Sequence, residues 1–189
     1  MKVIGINGSP RLANTEYMVK TVLEATGRDY ELINLKDMKI SPCKDCRKCH
    51  NTFECATKDD MQKIYPKLKS ADVIILGSPT YFDNVSGIMK NFIDRCLPLY
   101  FSKELKAKKT GLVTSANFKE YLEFNEEGKC KWHKEETESA LNCLSALENF
   151  SEIIGLNVIG KVYALHSDPL SKKEDLISLG KMLSLKNKI

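Results

Sequence analysis

The sequence lacks the features that mark a membrane protein, a secreted protein or a binder of nucleoside triphosphates. No run approaches the roughly 18 apolar residues of a membrane-spanning helix, and the apolar start is too short for a signal-peptide core. The patterns G-x-x-x-x-G-K-[ST] and G-x-G-x-x-G are both missing. The net charge is only +4 and the lysines are scattered, which argues against nucleic-acid binding. We therefore expect a cytoplasmic protein with neither a membrane nor a nucleic acid as partner.

Five apolar segments alternate with amphipathic segments along the 189 residues. The predicted strands cover 2–7, 30–35, 73–76, 110–114 and 158–165, and the predicted helices cover 15–26, 58–71, 86–97, 135–154 and 173–185. This alternation is typical of a doubly wound parallel α/β sheet with helices on both faces. We expect one domain over 1–189, with a cysteine-rich loop at about 41–58 and an inserted polar segment at about 117–134. Ligands of such sheets bind outside the carboxyl ends of the strands.

The loop after the first strand has the composition of an anion site. It reads GSPRLANT and leads into a helix, whose first N–H groups and dipole favour negative charge. Ser9, Asn14 and Thr15 add hydrogen-bonding groups, and Arg11 adds a charge suited to phosphate. The alternative is an ordinary helix start that Asn14 or Thr15 caps, with nothing bound.

The loop after the third strand suits a flat heteroaromatic ligand. It reads GSPTYFDNVSG, in which the neighbouring Tyr81 and Phe82 offer apolar surface and Asn84 offers polar groups. A flat ring needs both, because its faces are apolar and its edge is polar. The alternative is a packed turn in which the two aromatic residues belong to the core.

Taken together, GINGSPRLANTE and GSPTYFDNVSGIMKNFIDR resemble the flavodoxin-like NAD(P)H-dependent FMN reductase superfamily. The cysteine-rich stretch with the following KDDM resembles the iron–sulfur flavoprotein branch, and the resemblance spans about residues 3–95. It implies a flavodoxin-like five-stranded parallel sheet in the order 2-1-3-4-5 and a flavin-dependent oxidoreductase.

The same resemblance implies where FMN binds. The phosphate would be held by Ser9, Arg11, Asn14 and Thr15. The isoalloxazine ring would lie against Pro79, Thr80, Tyr81, Phe82 and Asn84. The loop after the fourth strand contributes through Ser115, although its sequence SAN lacks the glycines common there.

Four of the seven cysteines fall within the thirteen residues CKDCRKCHNTFEC. In a reducing compartment, metal binding or redox chemistry explains such a cluster better than disulfides do. The run C-x2-C-x2-C holds ferredoxin-type clusters, and a later cysteine can supply a fourth thiolate. The spacing also matches iron–sulfur flavoproteins, which implies a 4Fe–4S cluster on Cys43, Cys46, Cys49 and Cys55. Two alternatives are zinc on Cys43, Cys46, His50 and Cys55, or four unliganded thiols.

Three functions compete on this reading. The first is an FMN-dependent oxidoreductase that links a one-electron carrier such as ferredoxin to a small-molecule two-electron acceptor, through a 4Fe–4S cluster. The second is an NAD(P)H-dependent FMN or quinone reductase whose cysteines are idle. The third is a non-enzymatic zinc or redox-sensing module. Because a flavin would carry the chemistry, we assign no catalytic side chain. By resemblance we also expect a homodimer or homotetramer.

Overall fold

A computed structural model of the chain describes residues 1–117 and 133–185, without the side chain of His133. The predicted inserted segment lies almost entirely outside the described residues. Its aromatic residues Tyr121, Phe124 and Trp132, which we expect to pack locally rather than to cover a flavin or a subunit interface, are among those not described.

In this part of the chain, strands and helices alternate as the sequence predicts. The strands are β1 (Val3–Asn7), β2 (Tyr30–Asn34), β3 (Val73–Tyr81), β4 (Asn84–Val85), β5 (Lys109–Ser115) and β6 (Asn157–Ala164). The helices are α1 (Asn14–Ala25), α2 (Cys49–Thr52), α3 (Met61–Ser70), α4 (Gly87–Arg95), α5 (Leu97–Ser102), α6 (His133–Ile153) and α7 (Lys173–Ser184). Two 3-10 turns, at Leu35–Asp37 and Leu170–Lys172, complete the description.

The sheet has the order β2-β1-β3-β5-β6, and these neighbours pair in parallel. The predicted parallel α/β architecture is thereby confirmed. The predicted count of five strands is wrong, because β4 adds a sixth that pairs antiparallel with β3. Without β4, the parallel strands follow one another in the predicted arrangement, with β5 and β6 as the fourth and fifth.

The extra strand exists because β3 runs on to Tyr81 and then reverses. The two turn residues, Phe82 and Asp83, have φ angles of 48° and 59°. Positive φ at both central residues is what a type I′ turn requires, and glycine or asparagine usually supplies it. A bulky phenylalanine in this conformation costs roughly 1–3 kcal/mol. The sequence therefore predicts a loop here but lacks the Asn-Gly, Asp-Gly or Gly-X pair that usually marks a two-residue hairpin.

Helices cover both faces of the sheet. On one face, α1 and α7 bury Met18, Val22, Leu176 and Leu183 against the strands. The opposite face packs α3, α4 and α6 into a larger cluster. Gly180 lets α7 approach α1 closely, since a Cβ there would lie 2.5 Å from the Val22 carbonyl oxygen. Among the helices described, none combines the length and the apolar character needed to cross a membrane.

Candidate functional site

The loops after β1, β3 and β5 meet at one edge of the sheet. The Gly8 N–H donates to the carbonyl of Gly77 over 2.7 Å, and the Ser86 hydroxyl donates to the carbonyl of Gly8 over 2.5 Å. The hydroxyls of Thr15 and Ser115 lie 2.8 Å apart. The three loops thus form one connected site, as expected for the carboxyl edge of a doubly wound sheet.

Side chains hold the first loop from within. Asn7 Oδ1 accepts the Ser9 N–H over 3.1 Å, while Asn7 Nδ2 donates to Asn34 Oδ1 over 2.9 Å. The Ser9 hydroxyl accepts the Arg11 N–H over 3.1 Å. Ser9 is buried and Arg11 is exposed. The loop is therefore fixed before any ligand arrives, with its one charged side chain directed to solvent.

The start of α1 is open. Its N-cap residue is Ala13, and no side chain among the described residues caps the helix. The interpretation in which Asn14 or Thr15 is a simple cap is wrong, because Asn14 is already helical and the Thr15 hydroxyl contacts Ser115. Uncapped N–H groups at a helix start, next to an arginine, are suited to a phosphate.

The hairpin of β3 and β4 presents its aromatic residues to solvent. Tyr81 is 40% exposed and Phe82 is fully exposed, so the interpretation of these rings as core is wrong. Asn84 is exposed as well. Pro79 is half-buried, and the Thr80 hydroxyl lies 3.0 Å from the hydroxyl of Ser139 on α6. The hairpin thus offers apolar surface and a carboxamide beside the phosphate-type loop.

Several buried hydroxyls that support the site were missed by sequence reasoning. The Ser78 hydroxyl accepts the Ser86 N–H over 3.0 Å, and Thr114 donates to the Ser78 carbonyl over 2.7 Å. Ser86 also caps α4, where its hydroxyl accepts the Met89 N–H over 3.2 Å. The start of a helix at Ser86 was readable as a cap signal. Its contact with Gly8, 78 positions away, was not.

A buried acid also escaped notice. Glu136, in the first turn of α6, is fully buried, and its carboxylate accepts the His166 N–H over 2.7 Å. The second carboxylate oxygen lies 2.5 Å from His166 Nδ1. The neighbouring Ser167 N–H donates to the Ala116 carbonyl over 3.2 Å. The Glu136–His166 pair thus joins the start of α6 to the segment after β6, and Ser167 joins that segment to the third loop of the site, directly after Ser115.

The four predicted cysteine ligands line one pocket that is open to solvent. Cys43 and Cys46 are exposed, Cys55 is half-buried and Cys49 is buried at the start of α2. The structure therefore brings together four thiols that span thirteen residues of loop. His50 is not among the residues that line this pocket.

The four cysteines share a pocket, but their side chains are not arranged as the ligands of a single metal ion. Within residues 1–117 and 133–185, no three Cys, His, Asp or Glu side chains are arranged to hold a single metal ion. The ring of His50 packs on Phe101 at a centroid distance of 4.4 Å. That contact gives no support to the zinc alternative. The cluster on the four cysteines stays a prediction.

Electrostatic interactions among the cysteines of the pocket shift the pKa of the Cys49 thiol. Burial raises the pKa of Cys49, and the nearby thiolate charges of Cys55, Cys43 and Cys46 raise it further. Burial also acts to raise the pKa of Cys55. There, however, the Thr57 N–H and neighbouring polar side chains outweigh it and lower the pKa. A cationic centre that takes up thiolates would relieve the mutual repulsion, so the donor set suits an iron–sulfur cluster.

The flavin-type site and the cysteine pocket lie at opposite ends of α4. Ser86, which joins the first two loops, is the N-cap of this helix. Arg95, its last residue, lines the cysteine pocket. At 1.5 Å per residue the two ends are about 12 Å apart. One short helix therefore connects the two sites.

A doubly wound sheet with an open helix start and an aromatic hairpin at its carboxyl edge defines a flavodoxin-like, flavin-binding type of protein. The family model for NADPH-dependent FMN reductase matches residues 1–127. The chain therefore belongs to the NADPH-dependent FMN reductase family, which confirms the family expected from the sequence.

Curated relatives point to one branch of this family. An iron-sulfur flavoprotein of Archaeoglobus fulgidus is 45% identical over 98 residues, which are 50% of this chain and 48% of that protein. An iron-sulfur flavoprotein of Methanocaldococcus jannaschii is 44% identical over 117 residues, 60% of this chain and 61% of that protein. The matches thus span about half of the length of these relatives.

Solved structures agree on the fold. The NAD(P)H:quinone oxidoreductase from Methanothermobacter marburgensis superimposes with a TM-score of 0.73, covering 100% of this chain and 98% of that one. A WrbA-like flavodoxin from Agrobacterium tumefaciens gives 0.62, with coverage of 97% and 94%. Identities of 15% and 19% make these likenesses of fold alone.

Proposed function

We propose that this protein is an FMN-dependent oxidoreductase that carries a 4Fe–4S cluster and passes electrons between a ferredoxin-like one-electron carrier and a small-molecule two-electron acceptor. The observation that supports it most directly is the single pocket shared by Cys43, Cys46, Cys49 and Cys55, at the far end of the helix that starts in the flavin loops. The printed names of the curated relatives support it as well.

The residues of the three loops suit FMN. The open start of α1 and the exposed Arg11 would hold the phosphate, because both favour a dianion. Tyr81 and Phe82 would lie against the ring and shield it from water. The Thr15 and Ser115 hydroxyls would keep the first and third loops at a fixed separation. When bound, the flavin supplies two-electron exchange with an acceptor or with NAD(P)H and one-electron exchange with a cluster.

The charges around the cysteines suit an acidic carrier. Lys44, Arg47 and Lys48 are all exposed, and Arg47 forms a solvent-exposed ion pair with Asp45 at 3.4 Å. Such a pair is weak in water, so most of the positive charge stays available to a partner. Electron transfer from an acidic ferredoxin would accordingly slow down as ionic strength rises.

One observation favours a second candidate. The described residues hold no preformed metal-ligand group, which is what a cluster-free NAD(P)H-dependent FMN or quinone reductase would show. In that function the same flavin loops operate and the four thiols are idle.

Anaerobic purification separates the two candidates. We expect the wild-type chain to show flavin absorption together with iron and sulfide in equal amounts. Cys46→Ser should lose iron and sulfide but keep FMN, since Cys46 is exposed and lines the pocket at the Arg95 end of α4, whereas the flavin loops meet the Ser86 end. Cys143→Ala is the matched control, because this buried cysteine lies on α6, where it contacts Thr114, and outside the pocket. It should keep both cofactors.

The other outcomes are equally informative. Flavin without iron in the wild-type protein would favour the cluster-free reductase. Zinc without FMN would overturn both candidates and favour a non-enzymatic module.

A further inference from the structure

An arginine lies buried where α4 meets the cysteine pocket. The side chain of Arg95 is 1% exposed, although burying an unpaired charge costs several kcal/mol. One guanidinium nitrogen donates to Asp59 Oδ2 over 2.5 Å and the other to Asp59 Oδ1 over 3.1 Å. This two-point pairing is the strong form of the arginine–carboxylate contact. It fixes the plane of the guanidinium group.

The same guanidinium joins the two ends of the cysteine loop. One nitrogen donates to the Ser41 carbonyl over 2.8 Å, and the other donates to the Thr57 carbonyl over 3.3 Å. Ser41 lies two residues before Cys43, and Thr57 lies two residues after Cys55. Arg95 thus closes the segment that contains all four cysteines of the pocket.

Arg95 also lines the cysteine pocket. Its Nε–H is buried and has no hydrogen-bond partner among the residues that the structure describes. Cys55 lines the same pocket. The Tyr65 hydroxyl, which also adjoins Cys55, donates to the Arg95 carbonyl over 2.6 Å. An unsatisfied donor in such a place is costly unless a ligand completes the site.

We propose that Arg95 is the positioning residue of the cysteine site: it holds both ends of the loop and supplies a fixed positive charge and an N–H to the Cys55 sulfur when a cluster is bound. The inference rests on the proposed function. One-electron reduction adds one negative charge to a four-thiolate cluster, and a buried cation beside one sulfur stabilises that charge. Hydrogen bonds and charge at the sulfurs set the potential of such clusters, so Arg95 should raise the reduction potential.

Two substitutions of Arg95, to lysine and to methionine, separate its role in holding the loop from its role as a positive charge. Arg95→Lys keeps the charge, but one ammonium group lacks the fork that reaches Asp59 and both carbonyls at once. We expect it to keep a potential near that of the wild type and to release iron to a chelator roughly tenfold faster, a factor equal to about 1.4 kcal/mol. Arg95→Met removes both contributions, so it should release iron faster and also show a lower potential.

The matched control is Arg47→Met. Arg47 lines the same pocket, but its side chain is 73% exposed, and its one ion pair within the described residues is with Asp45. It carries the same formal charge, and water screens that charge. We expect its release rate and potential to stay close to those of the wild type. FMN content and the circular dichroism melting curve report folding in each variant.

Each outcome bears on the inference. If Arg95→Met and Arg47→Met match the wild type in both measurements, Arg95 has no such role. If Arg95→Met fails to fold, Arg95→Lys decides alone: an unchanged release rate would refute the clamp. If the wild-type chain cannot be loaded with iron and sulfide, the proposed function fails instead, and the inference falls with it.

Discussion

Ser86 offers the sharpest test of how the flavin site is built. It is 2% exposed, and its hydroxyl donates to the Gly8 carbonyl while accepting the Met89 N–H. Ser86→Ala removes an N-cap, which costs about 0.5–2 kcal/mol. It also leaves a buried carbonyl unpaired, which costs about 1–3 kcal/mol. We expect the free energy of unfolding to fall by roughly 2–4 kcal/mol, with a midpoint lower by roughly 4–16 °C for a chain of this size.

The measurement is urea and thermal unfolding of the flavin-free protein, since bound FMN would add its own stabilisation. Ser86→Gly separates the two contributions, because glycine is a nearly adequate N-cap but cannot bond Gly8. Ser70→Ala, at the exposed end of α3, is the control and should stay within about 0.5 kcal/mol of the wild type. FMN affinity should fall in both Ser86 variants. A destabilisation below about 1 kcal/mol in Ser86→Ala would refute the reasoning.

Two further predictions concern charge. Arg11→Ala should weaken FMN binding by on the order of 1–2 kcal/mol in a fluorescence titration. The difference in binding free energy between this variant and the wild type should become smaller at high salt. Arg28 is an exposed arginine beyond the other end of α1, so Arg28→Ala should bind FMN as the wild type does. Burial acts to raise the pKa of Asp59, but Arg95 and two backbone N–H groups lower it overall. Asp59 therefore stabilises the fold above its unfolded pKa of about 4, and that contribution is lost as pH falls through the lower folded value. At pH 7 the Asp59→Asn variant should have a smaller free energy of unfolding than the wild type, and this difference should disappear in acid. A difference that stays constant across the pH range would contradict the prediction.

The candidate site could be proposed from the sequence because its signals are local. The loop after β1 joins an apolar strand to a helix, so its serine, arginine and threonine could be assigned to an anion site from their order in the chain. The cysteine spacing is equally local. In both cases the neighbours in sequence are also the neighbours in space.

The contacts that hold these parts together were not readable. Ser86 reaches Gly8 across 78 positions, Thr15 reaches Ser115 across 100, and Glu136 reaches His166 across 30. A buried hydroxyl or carboxylate satisfies whichever partner the fold brings to it. Its residue type does not reveal that partner. The roles of such buried polar residues therefore cannot be predicted from a single sequence.

The helix α4 shows how the two kinds of information combine. The sequence predicts only a helix over 86–97, yet both of its ends carry buried polar groups whose partners are loops. Ser86 at the start bonds the flavin loops, and Arg95 at the end closes the cysteine loop. A helix of nine residues is too short to stand alone, so its position depends on these contacts and on the core. A shift of α4 would move residues of both sites, so this helix is a structural link between the flavin loops and the cysteine loop.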